Sequence, residues 1–555
     1  MCKLCTELRV ECVYREPGIK LTAGEKLIMD DLDKMKAFLQ ATLGGDRGGA
    51  VMNIGSPRTS DIMQGSRENT MATITRETNS GFGAPRAIER GLIPFSSSAF
   101  QFPQKLHTTP ALDLLRWPKI EALVSRPPNP QSLLQMELTR EPLHIDSPLS
   151  LDLEETSTSV QAFFERVNIW YACVNPYEWA AYYQKAQSVL FREGPESCVV
   201  LLVLALGSAV SPLPKGIDSS GILYFSAAWG LLPNVITSNS IISLQCTMLA
   251  AAYLFYLVRP LEAWTLISSS SMKMQLLLRV PGAISEQSVR LSERLYWNLL
   301  LTESDLLTQL DLPSSGIAQF EENVALPTFF QEFQSSPGRD ELWYFHAAID
   351  LRRLRTRISN EISAKESSPP DTLEPISHDF DIQLYDWYET LPLTVRFPLN
   401  RGLLIHPAQT VLRLRYFAAR TAIFRPYVLA VLEEETRSRI SFIHNNCRKC
   451  LESCIRQLED ISVDRSGHVP YVWQSALSLV SQSLLVMGAT RSPSLLQFLP
   501  SPEHLDRMLM AVVEEMERYA ELAPSLRLCA EVLREAEETR RDFLHKSVAT
   551  GFGGR

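Results

Sequence analysis

The run IISLQCTMLAAAYLFYLV, Ile241 to Val258, decides the fold class. It has no Gly, no Pro and no alternation of polar with apolar residues, so it reads as helix rather than strand. It is just long enough to cross a bilayer. Ser243, Gln245 and Thr247 interrupt it, which suits a helix packed inside protein better than one facing lipid. A second apolar run, CVVLLVLALGSAV from Cys198 to Val210, is too short to span. Both are expected to be core helices, and no membrane partner is expected. MCKLCTELRVECVYRE, at the start of the chain, is charged and has no apolar core, so no signal peptide is expected.

Outward from this run, apolar residues recur at helical spacing. The stretches 161–190, 241–280, 291–311, 403–424 and 436–460 carry no strand pattern. Prolines fall between them at Pro176, Pro195, Pro212, Pro214, Pro260, Pro313, Pro327 and Pro392. Ala111, Leu114 and Leu115 mark a short helix that stops at Trp117-Pro118. Residues 111–546 therefore read as one all-α domain of many helices, with 547–555 as a tail. No fixed-period repeat is visible. The loop Ser363 to Pro375 (SAKESSPPDTLEP) either divides the helices into two lobes or makes a surface excursion.

Of the 555 residues, 45% are hydrophobic and 21% charged, which excludes a wholly disordered chain. Lys plus Arg total 54 against 63 Asp plus Glu, a net charge of -9, so the chain as a whole is no basic nucleic-acid coat. Ten cysteines at ordinary density fit a reducing compartment, not a disulfide scaffold. Residues 44–110 differ from the rest: 28 of 67 are Gly, Pro, Ser or Thr. Such a segment is expected to be a disordered linker.

Before it, Leu21, Ile28, Leu32, Met35 and Leu39 follow one another at intervals of seven, four, three and four. That is an a/d seam in a helix over 21–43, suited to a homodimer or heterodimer. An amphipathic helix lying on the main domain is the other reading. At the very start, Cys2, Cys5 and Cys12 form C-x2-C-x6-C. Thiolates so spaced can hold one zinc ion, but tetrahedral closure needs a fourth ligand, and the next cysteine is Cys173. Chance cysteines on an exposed terminus and palmitoylation of Cys2 or Cys5 are the competing readings.

CKLCTELRVECVYRE followed by an apolar heptad helix resembles the second half of the six-cysteine binuclear zinc cluster of fungal transcription factors. In that family, two C-x2-C-x6-C halves share two zinc ions through six thiolates. The resemblance would make Cys2, Cys5 and Cys12 the last three ligands, Cys2 bridging the metals, within a segment 1–20. Tyr14, Arg15 and Glu16 fit the exit from the cluster. The first half, whose helix reads the major groove in that family, does not appear. Residues 1–26 hold five Lys or Arg against four Glu, no footprint for phosphates. The expectation is a truncated gene model with its reading half upstream; a variant without that half is the other reading.

Much of 111–430 resembles the regulatory, or middle homology, domain of the same family. The matching stretches are FFERVNIWYACVNP (163–176), SLQCTMLAAAYLFYLVRPLEAWTLIS (243–268), RLYWNLLLTESDLLTQLDLPSSGI (294–317), NVALP (323–327), DIQLYDWYETLP (381–392) and LRLRYFAARTAIFRPYV (412–428). The helix after Trp264 departs from the family pattern at KMQLLLRVPG. The resemblance implies a nuclear transcriptional regulator of RNA polymerase II genes, binding DNA only if the other half-cluster exists. It also implies a small-molecule effector in a bundle pocket. The alternative is an interaction protein that pairs with a complete relative without touching DNA.

Three further groups invite chemistry. Arg294, Trp297 and Asp305 share a helix face, where an ion pair at a helix junction is expected. His444, Cys447, Cys450 and Cys454 (FIHNNCRKCLESC) could suggest a metal, but a rigid helix spreads them along its axis, so buried apolar cysteines are expected. LRRLRTR (351–357) is expected to be a solvated helix face, with a nuclear-import patch as the alternative. No G-x-S-x-G, P-loop, dinucleotide-binding turn or H-E-x-x-H is present. No enzyme is expected.

Overall fold

The computed structural model describes residues 110–129, 131–145, 156–210, 221–330, 342–365, 368–402, 404–459 and 471–551. Cys2, Cys5, Cys12, the Leu21–Leu39 seam and the 44–110 segment up to Thr109 lie outside the described residues. Among the described residues there are nineteen α-helices, four short 3-10 turns and no strand. The all-α expectation holds.

The helix Pro195–Ala209 is the hub of the first half of the fold. Pro195 opens it, with Gly194 at φ +84° just before. It is buried on nearly every side because Ser157–Arg166, Trp179–Ser188, Ile222–Ile236 and Ile241–Tyr256 all pack on it. An all-round apolar sequence is what such a position needs. Two glycines permit the close approach. A Cβ on Gly207 would lie 1.8 Å from the Ser159 carbonyl oxygen. Gly221, at φ +90°, holds a position where a Cβ would lie 2.2 Å from the Ala205 carbonyl oxygen.

Ile241–Tyr256 is buried along almost its whole length and pairs with Pro260–Arg279. The Ser240 hydroxyl caps its start by accepting from the Ser243 N–H. Both apolar runs are therefore core helices. Among the described residues one helix, Val472–Ala489, is long and apolar enough to cross a membrane; 78% of it is buried inside the protein.

The second half centres on Pro407–Glu433, which packs against Trp343–Ala364, Pro370–Thr390, Ser441–Glu459 and Val472–Ala489. A capping box fixes its start: Gln409 Oε1 accepts from the Ile405 and His406 N–H groups, and His406 Nδ1 accepts from the Ala408 N–H. Val289–Leu307 meets Trp343–Ala364 and links the halves. Ser132–Leu138 also bridges them by contacting both Pro260–Arg279 and the last helix, Pro524–Gly551.

The Ser363–Pro375 loop is shorter than expected. Helix continues to Ala364, restarts at Pro370, and carries Pro375 inside it. Pro375 is the sixth residue of that helix, so its missing N–H leaves the Asp371 carbonyl without its helical partner, and its own side chain is exposed. Both flanking helices pack on Pro407–Glu433, so the loop separates no lobes.

Candidate functional site

Val289–Leu307 places Arg294, Trp297 and Asp305 against three other elements. Arg294 is fully buried. It donates to the Ala172 carbonyl at 3.0 Å and the Thr328 carbonyl at 2.6 Å, with its guanidinium 3.6 Å from the centre of the Phe330 ring. Trp297 donates to the Ala325 carbonyl at 2.9 Å. The expected ion pair at a helix junction is seen at Asp305.

Asp305 accepts from Arg355 at 3.3 Å and from Arg415 at 2.6 Å, joining three helices. Arg415 lies 4.6 Å from the centre of the Tyr471 ring. Trp170 meets Tyr344 and Tyr471 edge to face at 4.8 and 5.8 Å. Burial works against the charge on both arginines. For Arg415, Asp305 and the two phenols outweigh it, and its pKa rises above the ordinary guanidinium value. For Arg355 burial wins and its pKa falls. Burial also pushes the Tyr344 and Tyr471 phenols up. A carboxylate this buried, with each oxygen held by a guanidinium from another helix, makes this junction a clasp.

LRRLRTR is a solvated face only in part: Thr356 and Arg357 are exposed, while the other arginines are partly covered and paired. Leu351 and Leu354 are buried. Arg352 and Arg353 both pair with Glu321, and Arg355 takes Asp305. Arg353 also lies 5.0 Å from the Trp297 ring centre. The acidic partners are distant in sequence, so the basic run gives no sign of being neutralised.

Arg357, the last arginine of that run, is exposed and lines an open groove of about 510 Å³ between Trp343–Ala364 and Pro370–Thr390. Asn360 and Glu361 share its wall; Pro375, Ile376, Asp379, Phe380 and Gln383 form the other. Gln383 Nε2 donates to Asp379 at 2.7 Å. The groove combines an apolar floor with charged rims and can seat a small ligand or a peptide side chain. No sequence motif marks it, because it arises from two helices meeting across the shortened loop.

The cysteines of FIHNNCRKCLESC point into the core: Cys447, Cys450 and Cys454 are all fully buried. Cys454 contacts Gln482 Oε1 at 3.0 Å, and the His444 ring packs on Phe498 at 4.6 Å. The imidazole and the thiols have different neighbours. Among the described residues no group of three or more His, Cys, Asp or Glu is arranged to hold a metal ion.

No protein-family profile matches the chain. No solved structure matches it either. The chain is similar to a protein of Aspergillus rugulosus provisionally named transcription factor ecdB, with 22% identity over 384 residues. The match covers 62% of this chain and 65% of that relative, just under two thirds of its length.

Proposed function

We propose that this chain is a nuclear transcriptional regulator, not an enzyme, whose helical domain governs its activity. The observation that carries the reading is the similarity, over 384 residues, to a protein named as a transcription factor. The all-α fold of the described residues is in keeping with a regulatory domain. In this reading Cys2, Cys5 and Cys12 hold zinc as one half of a cluster. Leu21, Ile28, Leu32, Met35 and Leu39 pair two chains. The groove beside Arg357 offers room for a small effector.

A tethering assay tests the reading. The full chain, joined to an unrelated DNA-binding domain, should change transcription of a reporter carrying that domain's site. It should also collect in the nucleus when expressed alone. A silent reporter together with cytoplasmic retention would overturn the proposal.

The charge balance of residues 1–26, five cations against four carboxylates, favours a second reading on the DNA side. The purified chain is expected not to select a duplex sequence alone, acting instead through a partner paired at the seam. Tight, sequence-selective binding of duplex DNA by the chain alone would exclude this second reading.

A further inference from the structure

The helix Pro370–Thr390 (PDTLEPISHDFDIQLYDWYET) carries six carboxylates and no Lys or Arg. Two of the six are paired. Asp381 accepts from Arg420 and Lys449, both at 2.9 Å, and Glu389 pairs with Arg396 at 3.4 Å. Asp371, Glu374, Asp379 and Asp386 stand exposed, and among the described residues none of them forms an ion pair, although Arg357 lines the groove that Asp379 also lines. At 100° per residue they fall on the same face of the helix as Ile382 and Tyr385. Those two side chains are 47% and 48% exposed, and Leu393, just past the helix end, is 85% exposed. Asp379 and Asp386 flank Ile382 at i−3 and i+4. The groove of about 510 Å³ opens along the same face, adding Glu361 and one cation, Arg357.

Exposed apolar side chains scattered singly are ordinary. Here Ile382 and Tyr385 lie between Asp379 and Asp386, with Glu374 and Asp371 further along the same helix face, so an apolar patch sits within an acidic strip, as in an interface with an apolar centre and a polar rim. We infer that this face docks a basic peptide segment of a partner protein, with Lys or Arg opposite Asp371, Glu374, Asp379 and Asp386 and an apolar anchor on Ile382 and Tyr385. The field of the face repels nucleic acid and anionic lipid, which leaves a cationic polypeptide as the class it fits. The inference does not depend on the regulator reading, since it concerns a surface of the purified chain.

Fluorescence anisotropy on the full chain tests it. The probe is a labelled helix-forming peptide with Lys at every third or fourth position and two Leu anchors. Binding should weaken as salt rises. Two double variants should each weaken it about tenfold: Asp379→Asn with Asp386→Asn, and Ile382→Ser with Tyr385→Ser. These sites are exposed, so circular dichroism and melting should match the parent, and Glu531→Gln, exposed on the last helix, should bind as the parent does. No binding by the parent, or equal binding by either double variant, would overturn the inference. Equal binding of a probe with Ser in place of Leu would reduce the effect to bulk charge and also overturn it. So would self-association of the chain abolished by Ile382→Ser with Tyr385→Ser, which would assign the face to a second copy.

Discussion

Asp305 and Arg415 are 110 positions apart and meet at 2.6 Å, and the same carboxylate also accepts from Arg355 at 3.3 Å. One negative group thus holds two guanidiniums at the meeting of three helices. Removing it leaves two partly buried cations facing each other with no counter-charge. Asp305→Ala should therefore destabilise the fold by about 3–5 kcal/mol. Arg355→Met should cost less, because Asp305 keeps Arg415. Urea denaturation of the three proteins checks the order; an Asp305→Ala loss no larger than that of Arg355→Met would refute the clasp.

The closeness of Ser157–Arg166 to Pro195–Ala209 predicts a sharp contrast between two glycines. At Gly207 an added Cβ meets the Ser159 backbone at 1.8 Å, where no side chain can turn aside. Gly207→Ala should cost about 1–3 kcal/mol or more as the helices are pushed apart. At Gly230, exposed within Ile222–Ile236, nothing lies within 4 Å of an added Cβ. Gly230→Ala should stabilise by about 0.5–1 kcal/mol through helix propensity and lost chain freedom in the unfolded state. Thermal melts that move the same way for both variants would contradict the packing described.

Acid should loosen the tie between the segment at Lys119 and the turn at Glu435. Burial pushes the Glu435 carboxyl up, but the Ser494 N–H at 2.9 Å, Lys119 at 2.9 Å and the Ser492 hydroxyl at 2.7 Å outweigh it. The result is a pKa lowered to about 2 from an ordinary 4.5. A pKa depressed on folding contributes stability above the unfolded value and loses it as pH falls toward the folded one. The contribution should be complete above about pH 5 and fade between 4.5 and 2. Because about a third of the side chain is exposed and solvent screens the pair, it should amount to no more than about 1 kcal/mol. Glu435→Gln should be less stable than the parent at neutral pH and converge with it in acid. A gap that stays constant from pH 7 to about 3 would count against this account.

Periodicity along the chain disclosed much of this architecture and little of its wiring. The unbroken apolar run from Ile241 announced a core helix because a helix buried on all sides has no polar face to show. The stripe of Cys447, Cys450 and Cys454 was legible for the same reason. Arg352, Arg353 and Arg355 were misread as solvated because their partners, Glu321 and Asp305, come from other elements. Local spacing carries no trace of a pairing set by how helices dock. Pro375 misled in a different way: a proline signals a helix stop, yet here it sits in the second turn of a helix whose Leu373, Ser377 and Phe380 are buried against the rest of the fold. The groove beside Arg357 was invisible because its shape belongs to two helices at once.

Seven of the ten cysteines, Cys173, Cys198, Cys246, Cys447, Cys450, Cys454 and Cys529, are buried and free. Burial pushes the Cys173, Cys447 and Cys529 thiols up to about 12, and those of Cys246 and Cys450 well above the ordinary range. A thiol that is neither ionised nor reachable does not attack a disulfide reagent. Native labelling should therefore reach at most Cys2, Cys5 and Cys12, and the other seven should react only as the protein unfolds in denaturant. If zinc occupies the three, a chelator should raise the native count from none to three and release the metal in step. A fourth thiol reacting in the native protein would mean that the helical core opens far more readily than its packing allows.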